Sequence, residues 1–110
     1  MTDTLQQIFN TAEDPMALIL NDLIAKVNPA FCTISGFKEQ EIIGKPFMRY
    51  IVDQPKVAET YLDRIKGGKA PLSYETQVAA REGLYTVTIC GTRVTIDGEV
   101  GVFVILRVIK

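Results

Sequence analysis

The chain has no histidine and no tryptophan, and only two cysteines among its 110 residues. Without an imidazole there is no Ser-His-Asp or Cys-His device to carry a proton between nucleophile and leaving group. Zinc or haem held through histidine is excluded by the same absence. Cys32 and Cys90 lie far apart and form no metal-ligand spacing, which points to a reducing, cytoplasmic setting. No apolar run approaches the roughly 20 residues that span a bilayer. The opening Met1-Thr2-Asp3-Thr4-Leu5-Gln6-Gln7 lacks the basic-then-apolar order of a signal peptide. Charge of one sign is missing too. Twelve basic and 13 acidic residues are mixed along the chain for a net −1, so neither nucleic acid nor an anionic membrane finds a patch to bind.

What is present is the composition of an ordinary globular domain, 47% hydrophobic and 23% charged. A chain of this length makes one domain and buries roughly two thirds of its unfolded surface. The densest local information lies between Val27 and Gly44. Asn28 is an N-cap, Pro29 follows at the first helical position, and Phe31 and Ile34 share one face of a short helix that Gly36 ends. A second short helix follows, with Phe37 placed to staple onto Ile42 and Glu41 in the N3 slot of a capping box. Gly44 closes it and Pro46 prevents continuation.

Asn28, Pro29, Phe31, Gly36, Phe37, Glu41, Ile42, Gly44 and Lys45 together resemble the motif that PAS domains carry across two short helices. Lys38 departs from it, standing where those domains usually have a Ser or Thr cap. Loss of that cap weakens the second helix start by about 1 kcal/mol.

Before this stretch, Leu5, Ile8, Phe9 and Ala12 fall at helical spacing, capped by Asp3 or Thr4. We expect an N-terminal helix within residues 1–14 and the main domain over 15–110. The helix needs a partner surface, its own domain or a dimer seam. Met16 to Leu20 and Leu23 to Val27 read as strands joined at Asn21-Asp22, a shorter turn than the Asp-x-x-Gly of most PAS domains. A helical turn around Phe47, Met48 and Ile51 comes next. Pro55 to Lys66 reads as a helix ended by Gly67-Gly68, with Val57, Tyr61, Leu62 and Ile65 as its buried stripe and Lys56, Glu59, Asp63, Arg64 and Lys66 in water. The last forty residues are strand-like: Ser73 to Arg81, Leu84 to Ile96 and Glu99 to Ile109, broken by Glu82-Gly83 and Asp97-Gly98 turns. The expected fold is α+β, a five-stranded antiparallel sheet with short helices on one face. The resemblance implies the strand order 2-1-5-4-3.

Period-two alternation separates the sheet faces. Tyr74, Thr76, Val78, Tyr85, Val87, Ile89, Val102, Val104 and Leu106 are placed inward. Phe103 and Ile105 then face out, and an apolar patch of that kind marks an interface. With Leu5, Ile8 and Phe9 they make the candidate dimer surface. In PAS domains the inner face and the helices enclose a ligand cavity. That lining here is Phe31, Ile34, Phe47, Met48, Ile51, Leu62, Ile65, Val78, Val87, Ile89, Val104 and Leu106, with Tyr74, Thr76 and Tyr85 as polar neighbours. Two readings stay open: a solid core at crystal-like density, or a small cavity for an apolar metabolite.

The resemblance also bears on cofactors. Light-sensing flavin members carry an Asn-Cys-Arg-Phe-Leu box, where this chain has Gly44-Lys45-Pro46-Phe47-Met48-Arg49-Tyr50. A haem-ligating histidine is impossible here. Non-covalent flavin is left open, and both cysteines read as small hydrophobes. No inward position is Asp or Glu, so a buried-acid isomerase lacks its base, and no catalytic role is expected. The resemblance implies a sensory and homodimerising module, adjacent to a kinase or other output domain of a parent protein, or else a stand-alone adaptor. The alternative is a ligand-free dimerisation module with a filled core. PAS domains often end in Asp-Ile-Thr, which couples the sheet to an outgoing helix. Val108-Ile109-Lys110 replaces it here.

Overall fold

The computed structural model describes residues 2–52, 60, 63–67 and 73–109, and for Thr2, Asp3, Leu5 and Tyr74 the backbone alone. The elements in order are α1 (Thr2–Thr11), β1 (Met16–Leu20), β2 (Leu23–Val27), α2 (Pro29–Ser35), α3 (Glu39–Ile42), a 3₁₀-helix (Phe47–Tyr50), β3 (Ser73–Ala80), β4 (Gly83–Ile96) and β5 (Glu99–Val108). The strands form one antiparallel sheet in the order β2-β1-β5-β4-β3. The expected α+β architecture and strand order are therefore observed. Most of the helix read over residues 55–66, including the candidate lining residue Leu62, lies outside the described residues. Its end is helical at 63–66, where Ile65 is fully buried and Asp63 and Arg64 are exposed. Lys66 is only half-exposed, because its ammonium pairs with Asp22 at 2.8 Å.

The β1–β2 turn uses left-handed backbone at both Asn21 (φ +53°) and Asp22 (φ +64°). Asn and Asp tolerate that region because their short polar side chains bond locally, so a hairpin turn forms without glycine. Asp97-Gly98 does the same between β4 and β5. The β3–β4 turn differs from its expected place. Ala80 pairs with Gly83, so the turn residues are Arg81-Glu82 rather than Glu82-Gly83. The physical reason is that Arg81 is drawn out of the ladder: its amide donates to the Ser35 carbonyl at 2.7 Å. Helix α1 also begins earlier than the expected caps, which places Asp3 and Thr4 in its first turn.

Both sheet edges are paired in part. On β2, Ile24 donates to Lys45 and accepts from Gly44, at 2.9 and 2.8 Å. On β3, Val52 donates to Gln77 at 3.0 Å beside the Ile51–Val78 bridge. Pairing an edge in this way removes a template for aggregation. The inner face carries a row Val27–Ala17–Val104–Gly91 and a parallel row Ile24–Ile19–Val102 across β2, β1, β5 and β4. Phe31, Ile42 and Phe47 close the core from the helical side. The faces fall as the alternation requires: Thr76, Val87, Ile89, Val102, Val104 and Leu106 are buried, whereas Phe103 and Ile105 are only half-buried on the opposite face. Leu18, Phe103 and Thr92 make one outward row and Met16, Ile105 and Cys90 the next.

Candidate functional site

Asn28 anchors the site. It is fully buried, and its Oδ1 accepts from Phe31 N–H at 3.0 Å, the N-cap bond that starts α2. The same oxygen accepts from Met16 N–H at 2.9 Å, and Nδ2 donates to the Asp14 carbonyl at 3.0 Å. One amide thus starts the helix and ties it to the chain entering β1. At the other end, Gly36 adopts φ +78° and its N–H donates to the Cys32 carbonyl. Helix α3 starts with half a capping box: Glu41 Oε1 accepts from Lys38 N–H at 2.8 Å. The lysine side chain offers no acceptor for the reciprocal bond. Phe37 packs against the buried cluster that includes Ile42. Its ring also rests on Tyr50 of the 3₁₀-helix, centroids 5.8 Å apart.

Between these helices and the sheet lies a cavity of about 30 Å³. Phe31, Ile34 and Ser35 of α2 line it, with Phe37 at the α2–α3 corner and Phe47 and Tyr50 of the 3₁₀-helix. The sheet contributes Val78, Ala79, Ala80, Tyr85, Val87, Leu106 and Val108, and Pro15 completes the wall. Seven of the expected lining residues meet here: Phe31, Ile34, Phe47, Val78, Tyr85, Val87 and Leu106. Ile51, Ile65, Thr76, Ile89 and Val104 are buried elsewhere in the core, and Met48 packs against its edge. The side chain of Tyr74 is outside the described residues. Pro15, Ser35, Phe37, Tyr50, Ala79, Ala80 and Val108 were missed by sequence reasoning. For Ala80 and Val108 the inward alternation was a usable signal, since each lies two residues beyond an inward neighbour.

A volume of about 30 Å³ holds two or three water-sized spheres, given about 10–15 Å³ for each. The wall is almost entirely hydrocarbon, so the space suits a molecule of two or three heavy atoms with little polarity. Cys32 lies at the edge of the core, and burial, with Glu39 nearby, pushes its thiol pKa up, away from nucleophilic reactivity.

Next to the lining residues Phe37 and Ala80, Arg81 ties the α2–α3 corner to the β3–β4 turn. Arg81 Nε donates to the Gly36 carbonyl at 2.9 Å, and its Nη2 lies 2.6 Å from each oxygen of Glu41. The guanidinium carbon sits 5.0 Å from the centroid of the Phe37 ring. The hydrogen bond from Arg81, helped by that from the Lys38 amide, holds the Glu41 carboxyl below its ordinary pKa.

On the outer face, the rings of Phe9 and Phe103 are 6.1 Å apart, so α1 covers part of the apolar patch. Lys26 Nζ donates to Gln6 at 2.7 Å and lies 5.4 Å from the Phe9 ring centroid. Ile8 on the same helix remains 58% exposed. The side chain of Leu5 is not described. Among the described residues no helix is long and apolar enough to cross a membrane.

No curated protein matches the chain by sequence. Solved structures do match by fold. The PAS domain of an HTR-like protein from Haloarcula marismortui has 22% identity and a TM-score of 0.81, covering 98% of this chain and 91% of that one. The PAS domain of nitrogen regulation protein NR(II) from Vibrio parahaemolyticus has 13% identity and a TM-score of 0.81, covering 96% and 97%. The PAS domain of a LuxR-family transcriptional regulator from Burkholderia thailandensis, solved in complex with ethanol, has 15% identity and a TM-score of 0.72, covering 94% and 96%. The family model described as the PAS fold matches residues 3–109. With that match over nearly its whole length, and a sheet and helices arranged as the fold requires, the chain belongs to the PAS family.

Proposed function

We propose that the chain is a non-catalytic sensory module of a cytoplasmic signalling protein, responding to a small, weakly polar molecule. The observation that carries this reading is the hydrocarbon-lined cavity of about 30 Å³ between α2, the 3₁₀-helix and the sheet. Its size matches a ligand such as ethanol, the molecule found with the Burkholderia thailandensis PAS domain. Filling such a space restores dispersion contacts that an empty cavity forfeits, and so favours whichever packing of helices on sheet fits the ligand better.

The test is a ¹H–¹⁵N NMR titration with ethanol, and with xenon as an apolar probe. Shifts confined to the amides around Val78, Tyr85 and Leu106 are expected, and Ala80→Val, which fills the cavity from β3, should abolish them. Shifts that are absent, or spread evenly over the surface, would sink the reading.

The output in this reading is a change at a homodimer surface, passed to an adjacent kinase or other output domain of a parent protein. Ile8, Phe9, Phe103 and Ile105 supply apolar area on α1 and the outer sheet face, the kind of exposed patch that associates. Ile105→Glu is expected to weaken the dimer at least tenfold while leaving the far-ultraviolet spectrum unchanged. Sedimentation equilibrium reads the outcome, and an unaltered dimer removes Ile105 from the interface.

A further inference from the structure

We infer that Arg81 is a strap across the mouth of the cavity, and that its release from Glu41 is the step that admits a ligand. Ser35 and Phe37 form one wall at this end and Ala79 and Ala80 the other. Arg81 follows Ala80 directly and reaches back across the gap through its amide, its Nε and its Nη2. Its amide bonds the Ser35 carbonyl, its Nε the Gly36 carbonyl, its Nη2 the Glu41 carboxylate, and its guanidinium carbon lies over the Phe37 ring.

The two walls come from segments about 45 residues apart in sequence, as the span of the Arg81–Gly36 bond records. Gly36 allows them to approach this closely: a Cβ there would stand 3.1 Å from the Arg81 Cβ, at a φ of +78° that side chains rarely adopt. The strap is also on the surface. The side chains of Arg81 and Glu41 are 50% and 41% exposed, so water can replace each of their bonds. Exposed ion pairs contribute little net stability. That combination suits a part that opens without unfolding the domain. Swinging the guanidinium away uncovers Phe37 and leaves the aromatic ring free to turn from the gap, whereas the buried core beneath is untouched.

This inference takes its meaning from the cavity as the sensing site. Its test reads access to the cavity directly, whether or not ethanol or xenon binds. In the full chain carrying Cys32→Ser and Cys90→Ser, Val87→Cys places one thiol on the cavity wall, at a position that is 1% exposed. Its modification by methyl methanethiosulfonate is followed by mass spectrometry at a series of low urea concentrations. Adding Glu41→Gln keeps an acceptor for the Lys38 amide but removes the charge that holds Arg81. Both Glu41→Gln and Arg81→Ala are expected to speed modification at least tenfold, at rates that do not change with low urea. Flat urea dependence is the mark of a local opening. Unchanged rates in both variants overturn the strap. So do faster rates that climb with urea in step with global unfolding, since Arg81 then only stabilises the fold. If Arg81→Ala does not fold, Arg81→Lys takes its place, because an ammonium cannot span Gly36 and Glu41 together.

Discussion

Asn28→Ala is expected to lower unfolding free energy by about 3 kcal/mol or more, since each buried group left without its partner costs about 1–3 kcal/mol. Two main-chain groups lose this partner at once, the amide of Met16 and the carbonyl of Asp14, and the Phe31 amide keeps only its 3.1 Å bond to the Asn28 carbonyl. The side chain has no access to solvent, so water cannot replace the bonds without a local opening. Urea denaturation followed by circular dichroism measures the loss. Asn28→Asp separates the two functions of the residue. Its carboxylate still accepts from Phe31 and Met16, but it sets an oxygen against the Asp14 carbonyl where Nδ2 donated. It should therefore keep α2 while losing stability as its carboxylate becomes charged. An Asn28→Ala protein within 1 kcal/mol of the parent would show that the fold does not depend on this amide.

The second large effect is Gly101→Val. Gly101 sits on β5 between Leu20 of β1 and Val94 of β4, with the Leu20 side chain lying across it. An added Cβ would meet both the Leu20 side chain and the Ile19 carbonyl oxygen. A flexible side chain can move, but a ladder carbonyl cannot move without opening the β1–β5 seam. That seam joins the first hairpin to the rest of the sheet. We expect destabilisation of about 3 kcal/mol, at the upper end of what overpacking costs. Gly101→Ala should show a smaller loss in the same direction. Amide hydrogen exchange gives the specific signature, with protection lost first at Leu18, Leu20 and Phe103. A Gly101→Val chain as stable as its parent would mean that the seam relaxes freely.

Much of this domain was legible before any coordinates, and the legible part is local. The cap at Asn28, the left-handed stop at Gly36, the turns at Asn21-Asp22 and Asp97-Gly98 and the inward set on β4 and β5 all depend on residues within a few positions of each other. Backbone sterics and period-two alternation decide such features wherever the segment ends up. The strand order was legible only through the motif from Asn28 to Lys45, because alternation marks faces and not neighbours. Of the seven cavity residues that could be named, Val78, Tyr85, Val87 and Leu106 follow from the alternation, whereas Phe31, Ile34 and Phe47 on the helices came through the resemblance.

Tertiary structure decided the rest. Whether inward side chains fill the space between sheet and helices depends on a difference of volumes between distant segments, so the cavity has no signature in any one of them. Asn28 reads as a helix cap, yet two of its three side-chain bonds reach back to Asp14 and Met16. Gly101 looks like an ordinary strand glycine until Leu20 lies across it. Arg81 reads as the end of a strand, and becomes a turn residue because Ser35, Gly36 and Glu41 offer it acceptors that only folding brings near. The local geometry of each element follows from its own residues, whereas close approach, cavity volume and bonds across distant segments arise where several elements meet.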